Sequence, residues 1–135
     1  MKRALPIVLV LALAGCTQQE TSSNDFEGTE KGVAEAIEDL QANAQSRKPE
    51  AICSDNLSRE LADKLKAAGS DCTSEMEKIT SDADDFQLDV KDVSVSGNTA
   101  TAQVTTRRGK DKDATVTFSL VREDGEWRLN DLGAA

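Results

Sequence analysis

The sequence predicts an α+β fold, with N-terminal helices packed on one face of a curved four-stranded antiparallel β-meander. Three observations carry this. Apolar residues recur every three to four positions up to about residue 80, and every second position from Phe86 onward. Two hairpin dipeptides, Gly97-Asn98 and Asp124-Gly125, punctuate the alternating part. The positions between its apolar residues are Thr101, Gln103, Thr105, Thr115, Thr117, Ser119 and Arg128, so one sheet face meets a core and the other meets water.

The chain opens with Met1-Lys2-Arg3, followed by an uncharged run from Ala4 to Ala14 rich in Leu, Ile and Val. Eleven residues of helix rise about 16 Å, roughly half a bilayer's hydrocarbon thickness, so the run is too short to span as an anchor. It has the charged start and apolar centre of a secretory signal, and Ala14 and Gly15 leave room for a peptidase. Leu13-Ala14-Gly15-Cys16 resembles the bacterial lipobox at all four positions. That resemblance implies a signal peptide over 1–15, cleavage before Cys16 and lipidation of the Cys16 thiol. Acyl chains bury methylenes at about 0.8 kcal/mol each, which makes such attachment stable. The expected location is the extracytoplasmic face of a bacterial cell membrane. Thr17 lacks the acidic signal for inner-membrane retention, which leaves the outer membrane open in a two-membrane cell. Residues 16–28 are polar apart from Phe26 and read as a flexible tether to one domain over 29–135.

Val33, Ile37 and Leu40 form one apolar stripe, predicting a helix from about Glu30 to Ser46. Pro49 suits the first turn of a short second helix. Ser54-Asp55-Asn56 favours a turn, and Ser58 suits the cap of a helix that carries Leu57, Leu61 and Leu65 and ends near Gly69. Ser74 and Glu77 have capping-box spacing for a last helix, with Met76 and Ile79 as its core edge. With Cys16 lipidated, Cys53 and Cys72 remain. An even pair in an oxidising compartment argues for a disulfide. Two reduced core thiols is the rival arrangement, and without histidine the pair is only half a zinc site. One continuous helix over 54–71 would hold the cysteines more than about 20 Å apart, so a bridge requires the segment to fold back.

Phe86, Leu88 and Val90 alternate, and Val93 and Val95 alternate one residue out of phase. A β-bulge at Lys91-Asp92 restores the phase. Counting back from Gly97-Asn98, Val95 faces Ala100, Val93 faces Ala102, Val90 faces Val104 and Leu88 faces Thr106. A five-residue loop over 109–113 would set Val104 opposite Phe118 and Ala102 opposite Leu120. Around Asp124-Gly125, Leu120 faces Leu129 and Arg122 faces Trp127. All these side chains, with Val116, share the inward face.

The order of helices before a bent sheet resembles the nuclear transport factor two-like, or cystatin-like, superfamily, and more narrowly its small bacterial lipoproteins of unknown function. The residues that carry the likeness are Ile52-Cys53, Leu61, Cys72, Val90 to Ala100 and Glu123 to Leu129, within about residues 29–133. The resemblance implies a domain that holds small apolar ligands between helices and sheet, or pairs through its sheet into a homodimer, or catalyses isomerisation or dehydration.

The residue types favour binding over chemistry. The chain has no histidine and no tyrosine, and the inward face carries no carboxylate. Ser-His-Asp and Cys-His catalysis are thereby excluded. Asp89, Asp92 and Asp131 are the acids nearest the inward face, but their positions point outward, into the bulge or to a strand end. No phosphate-cradling glycine pattern occurs. A formal charge of −9 becomes −11 once Lys2 and Arg3 leave with the signal, which excludes a nucleic-acid footprint. Lys110-Asp111-Lys112-Asp113 reads as a solvated loop and Trp127 as a core anchor. The expected protein is a membrane-anchored, non-catalytic binding or interaction module at the cell envelope, without cofactor or metal. Its partner is another protein or, alternatively, a small apolar ligand.

Overall fold

The computed structural model describes residues 22–81, 83, 86–110 and 112–133. Cys16 and the signal over 1–15 lie outside the described residues. A 3-10 turn at Ser22–Asp25 leads into α1 (Gly28–Gln45). Next come α2 (Pro49–Ala51), a π-helical turn (Ile52–Asn56), α3 (Arg59–Ala67) and α4 (Cys72–Thr80). The strands are β1 (Phe86–Ser96), β2 (Thr99–Arg108), β3 (Ala114–Glu123) and β4 (Glu126–Asp131). They pair in sequence order as one antiparallel sheet. No described helix is long and apolar enough to cross a membrane.

The core lies between α1 and the inward sheet face. Val33, Ala34 and Ile37 of α1 and Ala102, Val104 and Leu129 of the sheet are all 0% exposed. Each such branched side chain contributes about 1.5–3 kcal/mol by leaving water. Alternation decides the sheet's two sides, since Leu88, Val90, Phe118 and Leu120 are buried while Thr101, Gln103 and Thr117 are exposed. α1 also lies against the outer edge of β1. Gln41 Oε1 accepts from the Leu88 N–H at 2.5 Å, and Gln45 Nε2 donates to the Phe86 carbonyl at 2.7 Å. Two backbone groups of an otherwise open edge are satisfied there.

The bulge falls between Val90 and Asp92, and the β1–β2 pairs are those the alternation predicts. The β2–β3 register differs by two residues from the expected one. Val104 faces Val116, Ala102 faces Phe118 and Ala100 faces Leu120. A tighter loop is the reason: Gly109 takes φ +54°, and Arg107 forms a two-pronged bond to Asp113 with both distances 3.1 Å. The shift is even, so every side chain keeps its face. At the last hairpin Asp124 and Gly125 both have positive φ, as a type I′ turn demands, and Leu120 faces Leu129.

Three further expectations need correction. The tether drawn over 16–28 gives way to packed structure from the 3-10 turn onward. Ser23 is 4% exposed, its N–H donates to Glu38 Oε1 at 2.7 Å, and Phe26 packs against the core. Polar composition hid this, because the contacts come from α1, far along the chain. The cap of α4 is Asp71, whose carboxylate accepts from the Ser74 N–H at 3.1 Å, so Ser74 is the third helical residue and not the cap. The inward edge of α4 runs through Met76 and Thr80, and Ile79 is left 45% exposed. Met76 and Thr80 lie one turn apart on the buried side, and Ile79 falls beside it.

Cys53 and Cys72 are joined, with Cα atoms 6.1 Å apart. The fold-back comes where extended Leu57 ends the π turn and Ser58 caps α3. Its Oγ accepts from the Leu61 N–H at 3.0 Å and donates to Asn130 Oδ1 at 2.6 Å, and its own N–H donates to the Leu129 carbonyl at 2.8 Å. The chain turns at the outer edge of β4, where Leu57 bridges Leu129 in parallel.

Candidate functional site

A half-open cleft of about 1020 Å³ runs along the outer side of α1, beneath the β3–β4 hairpin and beside the π turn. Small residues on α1 open it. Gly28, Gly32 and Ala36 recur every fourth position and so share one face. A Cβ at Gly32 would sit 3.5 Å from Cδ1 of Trp127, which shows how near the indole approaches the helix. Trp127 is 8% exposed, buried as a core anchor, while its remaining edge lines the cleft. The Arg122 guanidinium lies over its ring, 5.8 Å from the centroid.

A second set on α1, Glu35, Asp39 and Asn43, also recurs every fourth position and faces the cleft. Asn43 Nδ2 donates to Asn56 Oδ1 at 2.8 Å, tying α1 to the π turn. Asp55 and Glu126 bring carboxylates from the other two walls. Burial pushes the Asp39 carboxyl above its ordinary range, and the charges of Glu35 and Glu38 push it further. Glu35 has Lys31 at 4.0 Å, an exposed pair of little energetic weight. Glu126 has the Arg128 guanidinium at 3.4 Å and Arg122 also lines the cleft, so the four lining carboxylates are partly compensated. Among the described residues no three side chains of metal-ligating type converge. The carboxylates are spread along the walls, an arrangement that suits an extended cation better than a single ion.

No family model matches this chain, and no curated protein matches its sequence. The geometry establishes the coarser class: among the described residues the chain is α+β, with four α-helices and an open four-stranded antiparallel sheet.

The residues singled out from the sequence do not assemble at this cleft. Asp89, Asp92 and Asp131 are exposed, and Asp89 pairs with Lys91. None of the three lines the cleft. Cys53 and Cys72 are occupied with each other. Glu35, Asp39, Asp55 and Glu126 were missed because they lie on the side of α1 turned away from the sheet, in the π turn, or at the start of β4. A signal was present in α1, where the small stripe Gly28-Gly32-Ala36 sits beside the polar stripe Glu35-Asp39-Asn43.

Proposed function

We infer that the mature protein is an extracytoplasmic lipoprotein, anchored through Cys16, whose domain serves as a non-catalytic interaction module for a cationic partner. A nuclear transport factor two-like scaffold is the finer fold reading consistent with helices before a meander. The single observation that carries the binding reading is the cleft along α1, with four carboxylates on three walls and one arginine committed to Trp127. A carrier of apolar ligands is the weaker reading, because Val33, Ile37 and Val104 are 0% exposed where such a ligand would sit. The exposed Thr101, Gln103 and Thr117 likewise give little apolar area for a homodimer through the sheet.

Trp127 is the chain's single tryptophan and reports on the cleft directly. Titrating mature protein with hexalysine is expected to change its fluorescence saturably. Affinity should weaken with salt and fall at least tenfold in the Glu35→Gln/Asp39→Asn double variant. An unchanged signal, or equal affinity in the variant, removes the binding reading. The anchor is tested separately: wild type should enter the detergent phase and Cys16→Ala should not. Wild type found in the aqueous phase removes the anchor.

A further inference from the structure

Two buried hydrogen-bond donors in the walls of the cleft are unspent. The first is the Trp127 indole N–H. Trp127 is 8% exposed, and its Nε1 donates to no group among the described residues. A Cβ on Gly32 would stand 3.7 Å from Nε1, which places the N–H beside the small residues that open the cleft. The second is the Asn56 side-chain amide. Asn56 is 4% exposed and lines the cleft. Its Oδ1 accepts from Asn43 Nδ2 at 2.8 Å, while its own Nδ2 donates to no group among the described residues. Every side-chain nitrogen and oxygen sealed from solvent among the described residues has a partner. These two nitrogens have none, so both open on the cleft. A donor held this deep without an acceptor is destabilising, and a bound oxygen would remove that cost.

We propose that the cleft holds an extended peptide through its main chain, with peptide carbonyls accepting from Trp127 Nε1 and Asn56 Nδ2. This rests on the interaction-module reading above and adds what the partner is and how it is gripped. Charge alone does not select it, since Glu35 has Lys31, Glu126 has Arg128, and Arg122 shares the wall. Spacing and polarity do. Gly32, beside the indole, and Asn43, bonded to Asn56, are separated on α1 by about 16 Å. No single ion or small metabolite reaches both. An extended chain rises about 3.3 Å per residue, so about five residues do. The amide pair offers the Asn56 N–H and the Asn43 Oδ1 side by side. One donor beside one acceptor is the complement of a peptide group's own C=O and N–H. Gly28, Gly32 and Ala36 let such a backbone lie close to α1.

The test compares two tetracations by isothermal titration calorimetry on mature protein. Acetylated, amidated tetralysine carries its charge on a main chain that extends about 16 Å, whereas spermine carries the same charge and no carbonyl. Native protein is expected to bind tetralysine at least tenfold more tightly than spermine. Trp127 is the chain's single tryptophan, so benzothienylalanine can replace it biosynthetically, keeping the ring's shape without the N–H. That protein should bind tetralysine about three- to tenfold more weakly and spermine unchanged. Gly32→Ala should act in the same direction without lowering the melting temperature, because the added methyl makes ordinary contact with the indole and screens its N–H. Equal affinity of native protein for the two probes overturns the main-chain grip and leaves the cationic reading standing. So does a tetralysine affinity unchanged by the isostere or by Gly32→Ala. Failure of native protein to bind either probe overturns the cationic reading, and the proposal with it. A neutral tetrasaccharide that displaces tetralysine and responds to the isostere assigns the donors to sugar hydroxyls and overturns the peptide.

Discussion

The sheet with α1 and the helical segment over 49–81 are held to one core by different means. In the sheet, alternate residues of four strands are buried against α1, and the buried inward positions carry no charge. In the helical segment, α3 has no buried residue at all, and α4 buries only Met76 and Thr80. What holds that segment is specific: the Cys53–Cys72 bridge, the Ser58 cap on the edge of β4, and Ile52 and Leu57 as its apolar plugs. Distributed burial spreads the hold over many inward side chains. A segment held at a few points depends on each of them.

Leu129→Ala should show the largest effect. The residue is 0% exposed, so a loss of about 3 kcal/mol in denaturant unfolding is expected, with protection falling across all four strands. Loss confined to β4 would mean the sheet does not share one core. Removing the bridge with Cys53→Ser and Cys72→Ser together should cost roughly 3 kcal/mol through greater freedom of the unfolded chain. By hydrogen exchange, amides of α3 and α4 should lose more protection than those of β2 and β3. Equal losses would erase the contrast between the regions.

Ser58→Ala should cost about 1–2 kcal/mol, because it removes a helix cap and leaves Asn130 Oδ1 without its hydroxyl donor. The loss should appear as fraying of α3 in amide exchange, and an unaltered α3 would show that the cap is not what holds it. The smallest effect belongs to Asp39. Its carboxyl binds a proton more tightly in the folded chain than in the unfolded one, chiefly through burial, then through Glu35 and Glu38. Ionising it therefore works against folding, and stability falls as pH rises through its titration. Asp39→Asn should stabilise the domain at neutral pH by no more than about 0.5 kcal/mol. The gain should disappear below the ordinary carboxylate range. A gain that persists in acid would assign the effect to something other than charge.

Legibility followed the same division. Period-two alternation from Phe86 to Leu129 marked the inward residues, the bulge and both tight turns, because each depends on neighbours one or two positions away. In the helices, periodicity found Val33, Ile37 and Leu40 but misassigned Ile79, since the buried side of α4 runs from Met76 to Thr80 and a polar threonine gives no apolar-stripe signal. The small stripe on α1 was visible, yet its meaning depended on Trp127, nearly a hundred residues further on.

By itself, then, the sequence determined which strand residues face inward, where the chain reverses, and that Cys53 and Cys72 need a fold-back to meet. These follow from local sterics, side-chain period and chain reach. Only the tertiary structure decided the β2–β3 register, the packing of Ser23 and Phe26 ahead of α1, and the acidic cleft. Each of those is settled by contacts between distant segments: a loop closed by Arg107 and Asp113, a backbone N–H met by Glu38, and three walls brought together around one indole.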